Sequence, residues 1–221
     1  MPKVKISKKP GETDMTPFVD VAFLILSFFI MATKFKPQEP VPIETPNSVS
    51  SQQLPDNNAI MISIDKENKV YFSVRSKSDP KLAQDAVQRA AEARGITLSP
   101  DEVKHYTEGN MIGMPFSKLK AFLALSPSDQ AKVKQDGIPV MDSTNNELFY
   151  WIGGAKQAFS GEQLKFLIKG DAVSMYPTFK AVVDALKKND EQKYNLVTMP
   201  EEAPRGTDLY KERLSGSGRK K

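Results

Sequence analysis

The chain has no cysteine, one histidine and one tryptophan in 221 residues. Without cysteine there is neither a disulfide framework nor a thiolate metal site. The single histidine, His105, has no second histidine and no paired carboxylates at ligand or triad spacing, so neither a metal centre nor an acid–base triad is expected. A G-x-x-x-x-G-K-[ST] loop is also missing, which removes nucleotide hydrolysis as a source of energy. Charge of one sign is lacking too: 31 Lys and Arg face 27 Asp and Glu, and the net +4, mixed along the chain, gives no footprint for nucleic acid. The expectation is a protein that is not an enzyme and carries no metal or cofactor.

Long apolar runs are nearly absent as well, and the exception organises the chain. Met15 to Thr33 (MTPFVDVAFLILSFFIMAT) is apolar apart from a few positions, and it encloses one carboxylate, Asp20. A helix starting at Pro17, with Thr16 as its N-cap, rises about 25 Å to Thr33 at 1.5 Å per residue, just short of a hydrocarbon core of about 30 Å. Starting instead at Val21, the run reaches only about 20 Å, so Asp20 belongs to the span or to its edge. One reading makes Asp20 an interfacial residue that favours the first helical turn through the helix dipole. The sharper reading is a carboxyl that gains and loses a proton, since ionisable groups inside a span are expensive and functional by default. Thr16, Asp20 and Ser27 fall within about 40° of one line on the helical wheel, a polar stripe that needs a protein or hydrated neighbour. With one span in the chain, that neighbour is another subunit.

Lys3, Lys5, Lys8 and Lys9 precede the run, and only Lys34 and Lys36 follow it closely, which puts the N-terminus in the cytoplasm by the positive-inside rule. A cleaved signal peptide is disfavoured by Asp20 within the apolar run and by the lack of an A-x-A pattern before Lys34. From Lys34 to Asn58, Pro37, Pro40, Pro42, Pro46 and Pro55 describe an extended linker, either a plain tether or, around Glu39 to Pro46, an edge-pairing strand.

Beyond it, Ala59–Asp65 and Val70–Val74 flank the turn Lys66–Lys69 and predict a β-hairpin. Helices are expected from Asp79-Pro80 to Gly95, from Ser99-Pro-Asp-Glu102 with its capping box, over Pro115–Leu125, from Ser126 to Gly137, and over Asn146–Phe159 with Trp151 in the core. A buried strand over Leu164–Lys169, an amphipathic helix over Met175–Lys187 and a strand over Tyr194–Met199 complete the domain. Residues from Pro200 to Lys221 read as a disordered tail.

The run Asp14-Met-Thr-Pro-Phe-Val-Asp20-Val, followed by an apolar helix, resembles the ExbD/TolR family of energy-transducing membrane proteins, which carry T-P-F-[IV]-D at this place. The resemblance implies that Asp20 is the proton-responsive aspartate and that Thr16, Pro17 and Phe18 form its helix-start motif. It further implies a dimer of this subunit inside a pentameric ring of ExbB/TolQ-like partners, with protons as the transported ion and a TonB- or TolA-like envelope protein as client. Asp171 and Tyr176 match the family's strand-ending aspartate and helix-opening tyrosine. Turn and capping chemistry is their simplest role, and partner contact in the periplasmic domain is the alternative. The stretch from Asp79 to Asn146 departs from the compact family pattern by several helices.

The resulting fold expectation is a single N-terminal transmembrane α-helix plus an α+β periplasmic domain made of a β-hairpin, several helices and a strand–helix–strand end. Its parts are a cytoplasmic tail (1–14), the inner-membrane span (15–33), the linker (34–58), the domain (59–199) and the tail (200–221). The function expected is a proton-coupled subunit of a TonB-type system acting in outer-membrane transport. The alternatives are a TolR-like envelope-integrity subunit, or an anchored adaptor that moves no protons. Asp20 separates these, because an adaptor has no need of it.

Overall fold

The structure, a computed structural model, describes residues 15–32, 41–49, 54–55, 57–76, 79–109, 111–142, 144–201, 205–208 and 210–211. The basic tail and most of the C-terminal tail lie outside the described residues. The chain divides into two units, Met1–Glu39 and Pro40–Lys221. The first contains α1 (Thr16–Ala32). The second contains, in order, β1 (Asn47–Ser48), β2 (Ala59–Ile64), β3 (Val70–Arg75), α2 (Pro80–Glu92), α3 (Pro100–Gly109), α4 (Phe116–Leu123), α5 (Pro127–Gln130), α6 (Leu148–Ala158), β4 (Lys165–Gly170), α7 (Tyr176–Lys188), β5 (Asn195–Leu196) and β6 (Met199–Pro200).

Helix α1 begins one residue before the expected start. The Met15 carbonyl accepts from the amides of Phe18 and Val19, so Thr16 lies inside the first turn and is not the N-cap. At 17 residues the helix measures about 25 Å. Among the described residues no helix is long and apolar enough to cross a membrane. Of the residues 15–33 expected to form the span, Thr16–Ala32 are helical, and Thr33 lies outside the described residues.

The second unit is a mixed α/β domain built on the sheet β3-β2-β4-β5. Its hairpin forms for a local reason. Asp65 Oδ1 accepts from the amides of Glu67 and Lys69 at 2.8 Å each, and Asn68 takes the left-handed conformation (φ 63°) that closes the turn. β2 pairs antiparallel with β3 and parallel with β4, from Ala59 opposite Lys165 to Ile64 opposite Gly170. All six of its residues are buried. Ile60, Ile62 and Ile64 enter the main core with Phe72, Phe166 and Ile168, while Ala59 and Met61 meet Leu167 on the opposite face. Successive side chains of β2 thus point to two faces, and both are covered.

A parallel β2–β4 pair needs a long crossover, and α2 to α6 supply it. The Asp79 side chain caps α2 by accepting from the Lys81 amide, and Gly95 (φ 71°) ends it. Ser99 and Glu102 form a reciprocal capping box on α3, with bonds of 2.7 and 3.3 Å. α2 presents Ala83, Ala86 and Ala90 to the core, and α6 approaches so closely that a Cβ on Gly154 would lie 2.6 Å from the Ala90 backbone nitrogen. Trp151 stacks on Phe116 at 5.1 Å and meets Phe72 at 5.3 Å, at the centre of the core.

Two expected elements change. The helix expected from Ser126 to Gly137 stops at Gln130. Gly137 instead sits in an irregular run beside β3, where its amide donates to Gly113 and that of Ile138 to the Val70 carbonyl. Its φ of 91°, and a Cβ that would lie 2.9 Å from Lys69 Cβ, explain the glycine. The strand expected over Tyr194–Met199 is split, so that β5 pairs with β4 and β6 pairs parallel with β1.

That last pairing alters the reading of the linker and of the tail. Asn47 and Ser48 align with Met199 and Pro200, and the Glu201 amide donates to Ser48. The expected linker through Asn58 therefore docks on the domain around residues 44–48, and Pro200, expected in a disordered tail, lies in a strand. Proline at 46 and at 200 fits this pairing, because an edge strand leaves one side of its backbone unpaired.

Candidate functional site

Two groups of residues carry chemistry, one in each unit. In α1 the side chains bearing nitrogen or oxygen are Thr16, Asp20 and Ser27. Spacings of four and seven residues put them on one face. Asp20 is exposed, and the Ser27 hydroxyl donates to the Leu24 carbonyl at 2.9 Å. Pro17 and Phe18 occupy the first turn, as the helix-start motif requires. The large apolar side chains from Phe18 to Met31 are all more than half exposed, from Ile25 at 51% to Met31 at 88%. A helix apolar around most of its circumference is stable when covered by protein or lipid. The carboxyl of Asp20 is thus the ionisable group of a helix that otherwise calls for an apolar surrounding.

In the domain, Asp171 is buried just past β4, where sequence reasoning assigned turn chemistry. One carboxylate oxygen accepts from the Val173 amide at 3.1 Å, closing an Asx turn. The other accepts from the Glu44 amide at 3.1 Å, and the Ala172 amide returns a bond to the Glu44 carbonyl at 2.9 Å. Asp171 therefore also holds the linker, 127 positions away, and no local pattern announces that contact. Replacing it tests the contact. Asp171→Ala removes both carboxylate bonds, including the charge-assisted one to the Glu44 amide, so hydrogen exchange at that amide is expected to accelerate roughly ten- to a hundredfold. Unchanged exchange at Glu44 would show that the β1–β6 ladder alone holds the segment.

Tyr176 opens α7 as expected, but it points outward with 71% exposure. Beside it in the chain, Val173 and Met175 are exposed at 69% and 59%. The Met175 amide donates to Asn68 Oδ1 at 2.6 Å. Asn68 also lines a surface groove with Lys69, Gly137, Pro139, Met141 and Asp142. Asp171 and Tyr176 thus share one loop but not one role. Asp171 faces inward to the linker, and Tyr176 faces out in an apolar patch. Met141 and Asn68 were not singled out from the sequence, because the hairpin turn and the irregular run meet only in the tertiary structure.

His105 Nδ1 lies 2.9 Å from the Leu123 carbonyl and ties α3 to α4. Among the described residues no group of three His, Asp or Glu side chains is placed to hold a metal ion. Burial, with help from Asp65, pushes the Tyr71 phenol well above its ordinary range, so it stays a neutral donor to Asp65 at 3.0 Å.

The family described as biopolymer transport protein ExbD/TolR matches residues 7–201, which covers α1, the linker and the whole domain. Over 77 residues the chain is 25% identical to the biopolymer transport protein ExbD of Aquifex aeolicus (strain VF5), covering 35% of this chain and 58% of that relative. The chain thus spans little more than half the length of the curated relative it matches. No solved structure matches it. With Thr16-Pro-Phe-Val-Asp20 at the head of an apolar helix and the family match running through β6, the chain belongs to the ExbD/TolR family of biopolymer transport proteins.

Proposed function

We propose that this chain is the proton-carrying subunit of an ExbB–ExbD-type energy-transducing complex. In this reading α1 spans the inner membrane with its N-terminus in the cytoplasm, and the α/β domain lies in the periplasm. Two copies sit within a ring of ExbB/TolQ-like subunits, and proton passage through Asp20 drives α1 to rotate or shear against that ring. The linker passes the motion to the domain, which works on a TonB- or TolA-like envelope protein. Outer-membrane transport is the output with a TonB-like client, and envelope integrity the output with a TolA-like one.

The observation that carries the proposal is Asp20, the ionisable side chain of a helix whose other large side chains are apolar and exposed. Apolar surroundings favour a carboxyl's neutral form and hydrated ones its anion, so a carboxyl that alternates between the two moves a proton. One proton crossing the membrane potential supplies about 2.3 kcal/mol per 100 mV, enough to bias a mechanical step but far from enough to unfold a domain. In the domain, the outward patch of Val173, Met175 and Tyr176 is the surface offered to partners. Asp171 serves that surface by holding its loop and the linker together.

The test is proton uptake by proteoliposomes holding this chain co-purified with its ring partner, under an imposed potential. Uptake well above that of the ring alone is expected, and equal rates would refute the assignment. Protease added to spheroplasts checks orientation, with loss of the domain expected and its protection contradicting the topology.

A further inference from the structure

Asp20 stands near one end of α1, and twelve residue steps, or about 18 Å of helix, carry the chain from it to Ala32. A proton held at Asp20 has that length of apolar wall between it and the water beyond. Ser27 interrupts the wall about 10 Å along, on the face that carries Asp20. Three polar residues scattered at random around a helix fall within one 40° arc roughly one time in thirty, so the alignment of Thr16, Asp20 and Ser27 counts against a chance serine. The hydroxyl proton of Ser27 is already engaged by the Leu24 carbonyl, which leaves the oxygen with free acceptor capacity and no donor to offer.

We infer that Ser27 is a positioning residue for the proton step: its oxygen anchors the chain of waters that links Asp20 to the aqueous side beyond Ala32. This rests on the proton-carrying role proposed for Asp20 and adds the route by which its proton arrives or leaves. Along such a chain each water oxygen gives one proton as it takes another. The proton enters from bulk water on one side and leaves to it on the other, and no other reactant is consumed. Ser27 keeps its own proton on Leu24 and supplies an acceptor, holding one water where apolar side chains alone hold none.

The test uses the full chain co-purified with its ring in proteoliposomes, with proton uptake measured for five variants, Asp20→Asn among them, and assembly followed by co-purification. Ser27→Ala is expected to lower uptake about tenfold, the loss that one water hydrogen bond of about 1.4 kcal/mol produces. Ser27→Thr keeps the oxygen and its bond to the preceding turn, and uptake is expected to stay within about twofold of the starting protein. Ser27→Leu is expected to fall at least as far as Ser27→Ala. The exchange Leu26→Ser with Ser27→Leu keeps composition and swings the hydroxyl by about 100°, and it is expected to be as poor as Ser27→Leu alone. A merely structural serine would let the exchanged protein conduct normally. If the starting protein conducts and Asp20→Asn does not, yet Ser27→Ala or the exchange conducts at full rate, the water-anchoring role is refuted while the role of Asp20 stands. If the starting protein does not conduct, both fall together.

Discussion

Asp20→Asn is expected to leave the complex assembled and to abolish its proton-driven work, with proton uptake falling to that of the ring without this subunit. Asparagine keeps the size and hydrogen-bonding reach of the side chain and removes its titration, so helix packing is spared and only the proton is lost. The effect is expected to be complete rather than partial. α1 has no second ionisable group to take over, its remaining polar side chains being the hydroxyls of Thr16 and Ser27. Asp20→Ala is expected to be equally inactive. Leu24→Ile, an apolar exchange one turn further along the same helix, is expected to cost little. The control is co-purification with the ring partner, which separates a silent complex from a missing one. An Asp20→Asn protein that assembles and still supports normal client activity would make this chain an anchor and adaptor without a proton role.

The largest expected change in stability belongs to Trp151→Ala. The indole is fully buried, parallel to the Phe116 ring to within 12°, and in contact with Phe72 on β3. It therefore joins α6, the start of α4 and the sheet. Deleting it removes the transfer free energy of the ring and leaves a cavity between rigid elements, a loss of about 3–5 kcal/mol. For a domain of this size each kcal/mol shifts Tm by about 2–4 °C, so a fall of roughly 10 °C is expected in thermal unfolding followed by circular dichroism. Trp151→Phe is expected to cost less than half as much. It keeps an aromatic ring between Phe116 and Phe72, and it removes an indole N–H that is buried without a protein partner. A Trp151→Ala protein melting within 2–3 °C of the parent would show that α6 is not anchored through this ring.

The elements that were legible in the sequence share a physical property: each is decided by groups a few residues apart. Asp79 capping Lys81, Ser99 with Glu102, Asp65 with Glu67 and Lys69, and the chain reversal at Gly95 all close within four positions. Hydrophobic periodicity is equally local, and so α1, the hairpin, α6 and α7 lie within a few residues of where the sequence puts them. The place of Asp20 in the helix, and its line with Thr16 and Ser27, follow from spacing alone. Local signals misled at Thr16, which lies inside the first turn of α1 rather than at its N-cap, and after Ser126. Ser126 does cap a helix, but α5 ends after four residues because Ile138 gains the Val70 carbonyl by running beside β3. Propensity is worth tenths of a kcal/mol per residue, and an edge-covering hydrogen bond with burial of Ile138 and Val140 outweighs it.

The remainder was decided by the tertiary structure. Strand order β3-β2-β4-β5 joins residues about a hundred positions apart, and registers two residues apart keep the isoleucines of Ile60 to Ile64 on the same face until the neighbours are in place. Gly154 gives no sign in the sequence of the close approach to Ala86 and Ala90 that requires it. The linker is the sharpest case. Its prolines describe an extended chain correctly, yet an extended chain becomes a strand only when a partner edge exists, and that edge forms once Met199, Pro200 and the Asp171 turn are folded beside it. Composition determined which backbone conformations residues 44–48 adopt. Only the folded domain, by offering carbonyls, amides and one buried carboxylate at the right separation, determined where they bind.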